Sequence, residues 1–531
     1  MSAELVLAVV GLIEGCIKLA TKIKATYQTY KKADEGINEK VVLVEFLWLK
    51  VETQLKFLSR ISDHLNDDLV QSHFSLLQKL NGKLLQTVSQ LETVSLDGTS
   101  NKRKPSDFIR KWKFTLIKTS LDELVAELEA WQQRFDPTWY LIILLSSNVL
   151  DTALIESKSN EATRLGRSSN PLSNVLALRS ASKPEASEQS KTAKPNANIT
   201  LDVNGLKGAK ETAIPFTTAR AVIRAGSSKL LIVESVASSP GTIPQVKLDV
   251  ENLAKRLQVV DPDAFGLLSC YGILKHRDPA TNSLSAIEVV YRAPLGCEEP
   301  KTLRYHLLQQ DSVSLTAIIR ISKQLVRSVH YVHACGFVHK NIRPENILIF
   351  PGQEDSPLGP SFLVGFTEFR NSNFQTNLYG DAAWHRNVYR HPQRQGALVQ
   401  ERYVMQHDIY SLGVCLLEIG LWRSFIWYPQ YDSDATPVPG LALELSFSDK
   451  DFENVQLTGR QQTQEHFMAL AKKELPRRVG DAYTDIVLDC LACLEPGNRA
   501  FGVEGMMDED GITIGVKFVE LVLSRIAEIS V

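Results

Sequence analysis

The most constraining part of this sequence is the segment 338–348, which reads Val-His-Lys-Asn-Ile-Arg-Pro-Glu-Asn-Ile-Leu. Its two asparagines, Asn341 and Asn346, have four residues between them, and His339 stands two positions before the first. An asparagine amide can orient a hydroxyl group through a hydrogen bond, but it has no lone pair basic enough to accept the hydroxyl proton. The segment therefore has side chains that can form hydrogen bonds, but Asn341 cannot act as a general base.

This spacing resembles the catalytic loop of protein kinases, whose signature is His-Arg-Asp, four residues and then Asn. His339 and Asn346 match retained loop residues, whereas Asn341 replaces the aspartate that accepts the proton of the substrate hydroxyl. Lys340 replaces the arginine that can pair with an activation-segment phosphate, so the resemblance makes it a candidate phosphate contact. Hydroxyl groups that could carry such a phosphate belong to Thr367, Ser372, Thr376 and Tyr379.

Other phosphate-handling positions also differ from the family. Glu234 ends a strand that resembles Val-Ala-Ile-Lys, so a carboxylate replaces the lysine that neutralises the nucleotide phosphates. Gly365 stands where Asp-Phe-Gly supplies the magnesium-binding carboxylate, and the hairpin 216–233 contains Gly226 but no Gly-x-Gly-x-x-Gly motif. The resemblance therefore implies a pseudokinase, which is not an enzyme. We expect no cofactor, because ATP binding is doubtful and the magnesium site is incomplete.

Downstream positions of the same family concern the fold. Asp408 matches the aspartate that holds the backbone of the catalytic loop, and Arg499 matches the arginine that locks the activation segment. The usual partner of that arginine is the glutamate of Ala-Pro-Glu, and Gln393 takes its place here, so an ion pair becomes a hydrogen bond to a neutral acceptor. The resemblance covers about residues 211–528.

The N-terminal part of the chain has apolar residues at three-four spacing, which places one stripe on one face of each helix. Such runs cover about residues 3–32, 38–65, 74–91 and 117–131, and a fifth helix is predicted after Pro137 because proline is well tolerated at a helix start. Residues 157–197 are rich in Ser, Lys, Asn, Ala and Pro, which is typical of a mobile linker. We therefore predict a multidomain chain with an all-α helical bundle (1–157), a flexible linker (158–204) and an α+β bilobal protein-kinase-like fold (205–531, small lobe about 205–294, large lobe about 295–531).

The helical part resembles the HeLo-type domain of fungal cell-death proteins, and the domain order is similar to that of mixed-lineage-kinase-domain-like pseudokinases. The apolar run 5–13 is shorter than the ~20 residues that span a bilayer. If it left the bundle, Leu5, Val9 and Ile13 could enter a membrane interface, and the lysines that follow could meet anionic lipids. The alternative, a purely structural role in the bundle core, is the commoner one for such a stripe.

Composition narrows the remaining choices. The chain is 44% hydrophobic and 23% charged, so it can bury a sizeable core, and its net charge of -2 argues against a nucleic-acid coat. Cys490 and Cys493 have a C-x-x-C spacing without a second pair, which favours buried thiols over a metal site. The start of the chain lacks the basic region of a secretory signal, so we expect a cytoplasmic protein. Because the cysteine pair stands alone, we also expect no bound metal.

Three function classes follow from these patterns. The leading one is an inactive kinase-fold switch that regulates a membrane-active HeLo-like effector in fungal programmed cell death or incompatibility. Its expected partners are an upstream signalling protein or receptor, further copies of the chain on activation, and anionic lipids at the plasma membrane, but no nucleic acid. The alternatives are a non-catalytic scaffold with two binding domains and a weakly active atypical Ser/Thr protein kinase, which would need a base and a metal site from other residues.

Overall fold

The structure is a computed structural model that divides into two compact units, Met1–Ala177 and Leu178–Val531. It describes residues 3–28, 35–96, 107–142, 150–154, 175–176, 178–179, 199–236, 243–294, 296, 299–309, 312–352, 358–367, 370–371, 379–381, 383–399, 402–443, 457–495, 498, 501 and 512–531. The predicted fold class is confirmed, since a helical region precedes a region of antiparallel sheets and helices. Most of the predicted linker lies outside the described residues.

The first unit is built on long helices: α1 (Ala3–Gln28), α2 (Glu35–Ile61), α3 (Asp67–Leu96) and α4 (Asp107–Leu141). Helix α1 packs against α2 and α3, and α4 also packs against both of these helices. The stripe that α1 buries repeats every three or four residues and consists of Val6, Val9, Ile13, Cys16, Ala20, Ile23 and Tyr27. The three-four spacing of these residues is the pattern that predicts the helix. Their burial against α2 and α3 holds α1 in the bundle.

The predicted start of a fifth helix after Pro137 is wrong. Helix α4 continues through Pro137 and ends at Leu141. Asp136, the residue before the proline, accepts hydrogen bonds from Lys50 (3.1 Å) and Gln54 (2.7 Å) of α2. These contacts fix this part of α4 against α2, so tertiary packing overrides the local preference of proline for a helix start.

The second unit contains a five-stranded antiparallel sheet in the order β1-β2-β3-β5-β4. Its strands are β1 (Lys210–Ala213), β2 (Arg220–Ile223), β3 (Leu230–Val236), β4 (Cys270–Arg277) and β5 (Leu284–Arg292), with helices α5 (Ile243–Leu257) and α6 (Pro262–Phe265) between β3 and β4. The buried side chains of Val222, Leu231, Val233, Leu274 and Val290 form a core on one face of this sheet. Residues 199–204, which the sequence pattern assigns to the linker, belong to this unit: Leu201 N donates to the Ile273 carbonyl at 2.8 Å.

The rest of the second unit is mainly helical. Its helices are α7 (Leu303–Gln309), α8 (Leu315–Ala334), α9 (Trp384–Asn387), α10 (Met405–Leu421), α11 (Leu457–Val479), α12 (Asp481–Leu491), α13 (Ile512–Phe518) and α14 (Ser524–Glu528), with a π-helical turn at Val519–Leu523. Its short strands are β6 (Lys301–Thr302), β7 (Phe337–Val338), β8 (Ile347–Pro351), β9 (Leu358–Leu363), β10 (Arg370–Asn371), β11 (Tyr379–Asp381), β12 (Gly396–Leu398), β13 (Ile426–Trp427) and β14 (Val438–Pro439). Helix α10 is buried on every side and packs against α8, α11 and α12, so it is the centre of this region.

Among the helices that the structure describes, none combines the length and the apolar character needed to cross a membrane. Cys490 and Cys493 are fully buried, as the spacing of a single cysteine pair predicts.

Candidate functional site

The segment 338–348 forms a loop that joins β7 to β8, and Asp408 at the start of α10 holds its backbone. The Asp408 carboxylate accepts the backbone N–H groups of His339 (2.7 Å) and Lys340 (2.9 Å). It also contacts His333 Nε2 (3.0 Å) and accepts a bond from the Tyr403 hydroxyl (2.7 Å). Burial alone would raise the pKa of Asp408, but the partners His333, His339 and Tyr403 outweigh it and lower the pKa below its usual range. The carboxylate is thus an ionised anchor for the loop.

Asn341 uses its amide to tie the loop to the residues that follow β9. Its Nδ2 donates to the Gly365 carbonyl (3.3 Å) and to Thr367 Oγ1 (3.1 Å), and its Oδ1 accepts from Arg343 Nε (2.9 Å). The Asn346 amide in turn donates to the Asn341 carbonyl at 2.7 Å. Asn341 therefore has a structural hydrogen-bonding role that an amide fills well, because it donates and accepts at once.

Gly365 lies directly against Asn346. A Cβ atom at position 365 would lie 2.2 Å from Asn346 Cγ, and the φ angle of +86° is one that L side chains rarely adopt. His339, another retained loop residue, contacts the carbonyl of the neighbouring Val364 through Nε2 at 3.0 Å. A side chain at position 365 would require both a backbone change and a displacement of Asn346.

Glu234 on β3 reaches the same place from the sheet. Its Oε1 accepts the Gly365 N–H at 2.6 Å, and the side chain is 1% exposed. Burial raises the pKa of Glu234 to about 7, against the opposing effect of the Gly365 hydrogen bond. The Tyr291 hydroxyl lies close enough to oppose the rise in the pKa of Glu234, but neither it nor Glu234 Oε2 has a hydrogen bond of regular geometry in the described part of the chain. The carboxyl group thus has a hydrogen bond at Oε1 in a buried setting, and this bond joins the sheet to the segment after β9.

The turn between β1 and β2 makes a second contact with the helical region. Phe216 has a φ angle of +66°, and its ring packs against Tyr428 with centroids 4.9 Å apart. Beside it, Thr302 Oγ1 donates to the Pro215 carbonyl at 3.0 Å. We call the Glu234–Gly365 and Phe216–Tyr428 pairs the cleft contacts, because both join the five-stranded sheet to the region that carries the 338–348 loop.

Arg304 forms a buried charge cluster beside the loop that sequence patterns do not reveal. Its guanidinium is fully buried and contacts Glu345 (Nε to Oε1, 3.1 Å) and Glu418 (NH1 to Oε1, 3.0 Å). It also contacts Ser424 and the Tyr389 hydroxyl, which itself donates to Glu418 at 2.7 Å. Burial opposes its charge, but the Glu345 carboxylate and the other partners raise the pKa of Arg304 far above its usual value. The only sequence signal is an arginine between Leu303 and Leu307, both buried, in a short apolar helix.

The remaining candidate residues are dispersed. Lys340 lies over the Tyr403 ring, with Nζ 5.5 Å from its centroid. Val9 and Ile13 are 1% and 2% exposed in the bundle core, and Leu5 is half-buried. Arg499, Ser372 and Thr376 lie outside the described residues, and the side chain of Tyr379 is not described.

These residues do not fit a magnesium–nucleotide complex held in the manner of protein kinases. Gly365 offers no carboxylate, and the carboxylate of Glu234 beside it is hydrogen-bonded to the Gly365 backbone. Within the described ranges there is no group of three or more His, Cys, Asp or Glu residues that could hold a metal ion. Magnesium would need one or two carboxylates together with phosphate oxygens and water, so the side chains around Gly365 would have to rearrange to supply them.

Comparison with known proteins identifies distant protein kinases. No protein-family model matches the chain. Eukaryotic translation initiation factor 2-alpha kinase 1 of Mus musculus is 29% identical over 115 residues, which is 20% of this chain and 18% of that protein. Calcium-dependent protein kinase 29 of Arabidopsis thaliana is 30% identical over 110 residues, covering 21% of this chain and 19% of that kinase. Probable serine/threonine-protein kinase gdt9 of Dictyostelium discoideum is 26% identical over 106 residues, which cover 19% of this chain and 6% of that kinase.

The chain thus spans less than a fifth of the length of each of these relatives, and the similarity supports a kinase-like domain. It also corrects the expectation that this chain is not an enzyme. That expectation rests on the missing aspartates and lysine, but the matched relatives are protein kinases, so the comparison favours a protein kinase.

Proposed function

We propose that this chain is a signalling protein in which the kinase-like unit regulates the action of the N-terminal helical unit. The observation that carries the proposal is the Glu234–Gly365 hydrogen bond of 2.6 Å. It connects the sheet to the segment that Asn341 ties to the 338–348 loop. A domain whose two parts meet through specific polar and aromatic contacts can have a closed and an open arrangement, and ligands or partners can shift the balance between them.

The helical unit is the proposed effector, and the HeLo-type resemblance supports a role at membranes in programmed cell death or incompatibility in fungi. Helix α1 buries Val9 and Ile13, so its apolar stripe would reach a lipid surface only after α1 leaves the bundle. Exposed Lys18, Lys22 and Lys24 follow the apolar run and would favour anionic lipid, at about 1 kcal/mol for each lysine near the surface. Self-association, an upstream signalling partner and recruitment from the cytoplasm to the plasma membrane are parts of the same proposal.

Release of a trapped dye from anionic liposomes by the full-length chain tests this function. We expect leakage that depends on release of α1, and we expect it to increase when the cleft contacts are removed. A folded chain that neither binds nor permeabilises liposomes, with or without the cleft contacts, would show that the helical unit is not a membrane effector.

A second candidate function is protein phosphorylation, which the matched kinases favour. This chain retains His339 and Asn346 in the loop and the Asp408 anchor on α10, which match positions of that family. The test is transfer of labelled phosphate from ATP to a general protein substrate, with Asn346→Ala as the matched inactive control. Transfer by the wild-type chain that the Asn346→Ala variant lacks would support this function, and equal background signals from both would refute it.

A further inference from the structure

One end of the five-stranded sheet carries basic residues on three consecutive strands. Arg224 follows β2, Lys229 precedes β3 and Arg292 ends β5, and these strands lie side by side in the sheet. We call these three residues the basic cluster. Each of them stands two positions from a member of the buried core on one face of the sheet, namely Val222, Leu231 and Val290. Because side chains along a strand alternate between the two faces, the basic cluster belongs to the face that carries this core.

The ring of Tyr271 on β4 positions the two arginines of the basic cluster. The guanidinium carbon of Arg224 lies 4.7 Å from the ring centroid, and that of Arg292 lies 4.8 Å from it, so the two carbons are at most about 9.5 Å apart. The Arg224 guanidinium also donates to the Tyr271 hydroxyl at 3.0 Å, and the Arg292 guanidinium donates to the Cys270 carbonyl at 2.8 Å. These contacts hold both guanidinium groups in place, and Lys229 belongs to the strand between β2 and β5.

In the part of the chain that the structure describes, no carboxylate forms an ion pair with a member of the basic cluster. Glu211 on β1 and Glu288 on β5 both pair with Arg220 instead, at 3.1 and 2.9 Å. Glu288 is roughly 13 Å from Arg292 along the strand, at about 3.3 Å per residue. Arg224 Nε is buried and has no hydrogen-bond partner among the described residues. Like charges on neighbouring strands repel each other, so an anion bound here would relieve this repulsion.

We propose that the basic cluster binds an anion that carries several phosphate groups. A guanidinium group binds phosphate oxygens through two parallel hydrogen bonds, and the ammonium group of Lys229 adds a point charge. Three cations on three neighbouring strands match a row of phosphate groups better than they match one monovalent anion. The phosphates belong either to a soluble polyphosphate or to lipid head groups, because both present the same oxygen atoms.

This site is separate from the candidate functional site. Glu234 follows Val233, which belongs to the core on the face of the basic cluster, so the Glu234 side chain lies on the opposite face of the sheet. The proposal therefore does not depend on the cleft contacts. It also does not rest on the membrane action proposed for the helical unit, and dye release does not test it.

The experiment is isothermal titration calorimetry of the full-length chain with inorganic tripolyphosphate at low ionic strength. We expect saturable binding that weakens as salt is added, because salt screens exposed charges. The double variant Arg224→Gln/Arg292→Gln should bind tripolyphosphate at least roughly tenfold more weakly, and Lys229→Gln roughly two- to fivefold more weakly. Lys472→Gln is the matched control, since Lys472 is an exposed lysine on α11 of the same unit, and it should bind as the wild type does.

Cosedimentation with vesicles of phosphatidylcholine and phosphatidic acid separates the two sources of phosphate. The charge reversals Lys229→Glu and Lys472→Glu change the net charge equally. If Lys229→Glu binds these vesicles less than Lys472→Glu does, the phosphates of the site are those of lipid head groups. Equal vesicle binding by the two variants, together with weaker tripolyphosphate binding by Lys229→Glu, identifies a soluble anion.

Lys229→Glu also keeps the test valid if the double arginine variant does not fold. Both arginines pack on the Tyr271 ring, whereas Lys229 is exposed, so its replacement removes charge without removing core contacts. We expect Lys229→Glu to weaken tripolyphosphate binding by about tenfold. The proposal fails if the wild-type chain shows no saturable binding of tripolyphosphate, or if folded Lys229→Glu binds it as tightly as the wild type does.

Discussion

The Glu234 carboxylate accepts the backbone N–H of Gly365 at a distance of 2.6 Å, although the two residues are 131 positions apart in the chain. In the protein kinases that the sequence resembles, a lysine and an aspartate stand at these positions. Here the two positions contact each other directly through a side chain and a backbone N–H. This hydrogen bond holds the sheet against the segment after β9 at the candidate site.

The stability of the chain should depend on pH through Glu234. Burial raises the pKa of this carboxyl from 4.5 to about 7 in the folded chain. The folded state therefore holds more protons than the unfolded state between these values, and the free energy of unfolding falls as pH rises through this window. The contribution that is lost is at most roughly 3 kcal/mol. The measurement is chemical denaturation at a series of pH values from about 4.5 to 7.5.

The Glu234→Gln variant provides the comparison, because its amide oxygen can still accept the Gly365 N–H but does not titrate. Its free energy of unfolding should vary less with pH than that of the wild type across this window. Glu251→Gln is the matched control, since Glu251 is a carboxylate on α5 that pairs with Lys275 at 2.8 Å. If the free energy of unfolding of the wild type and of Glu234→Gln varied with pH in parallel, the pH dependence could not be assigned to Glu234.

Restoring an aspartate at position 365 should destabilise the chain. The new Cβ would lie 2.2 Å from Asn346 Cγ, and the φ angle of +86° disfavours any side chain. We expect Gly365→Asp to cost about 1–3 kcal/mol of unfolding free energy. Because the clash involves Asn346, the added cost of Asn346→Ala should be smaller in the Gly365→Asp background than in the wild type. A double-mutant cycle by urea denaturation measures this coupling, and strictly additive costs would show that the two positions do not clash.

Removal of Arg304 should destabilise the kinase-like unit more than removal of an exposed arginine. The Arg304→Met variant leaves the buried Glu345 and Glu418 carboxylates without their cation, which typically costs about 3–5 kcal/mol. Adding Glu418→Gln should recover part of this loss, because one buried negative charge disappears. Arg423→Met, at an exposed position, is the control. A loss no larger than that of the control would mean that the cluster does not support the fold.

A disulfide bond between α1 and α3 should block membrane action. Cys16 Sγ of α1 lies 3.9 Å from Asn81 Oδ1 of α3, so Asn81→Cys places two thiols in contact. After oxidation, α1 can no longer leave the bundle, and we expect dye release from anionic liposomes to be lost. Addition of a reductant should restore it, and the wild type treated in the same way is the control. Unchanged leakage from the oxidised, cross-linked variant would exclude release of α1 as the mechanism.

The sequence predicts those parts of the molecule that depend on local pattern. The three-four spacing of Val6, Val9 and Ile13 predicts α1, because one helix face must be buried whatever its neighbours are. It does not predict the continuous helix through Pro137, where contacts of Asp136 with α2 decide the outcome.

At the candidate site, the sequence does not predict contacts between residues that are far apart along the chain. The residue types at Glu234, Asn341 and Gly365 are readable from motif spacing, but their mutual contacts are not. Gly365 N–H bonds to a carboxylate from a strand far upstream, and Arg304 meets Glu418 across 114 residues. Such pairs arise from the packing of the sheet against the helical region, which no local pattern contains.

We propose that the kinase-like unit holds the helical unit in a resting state through the cleft contacts. The most direct test compares dye release from anionic liposomes by the wild-type chain and by the folded double variant Phe216→Ala/Glu234→Ala. We predict more release by the double variant, and no such gain when the oxidised cross-link between Cys16 and the cysteine of Asn81→Cys is also present. Equal release by the wild type and the folded double variant would contradict the claim, because the cleft contacts would then have no influence on the helical unit.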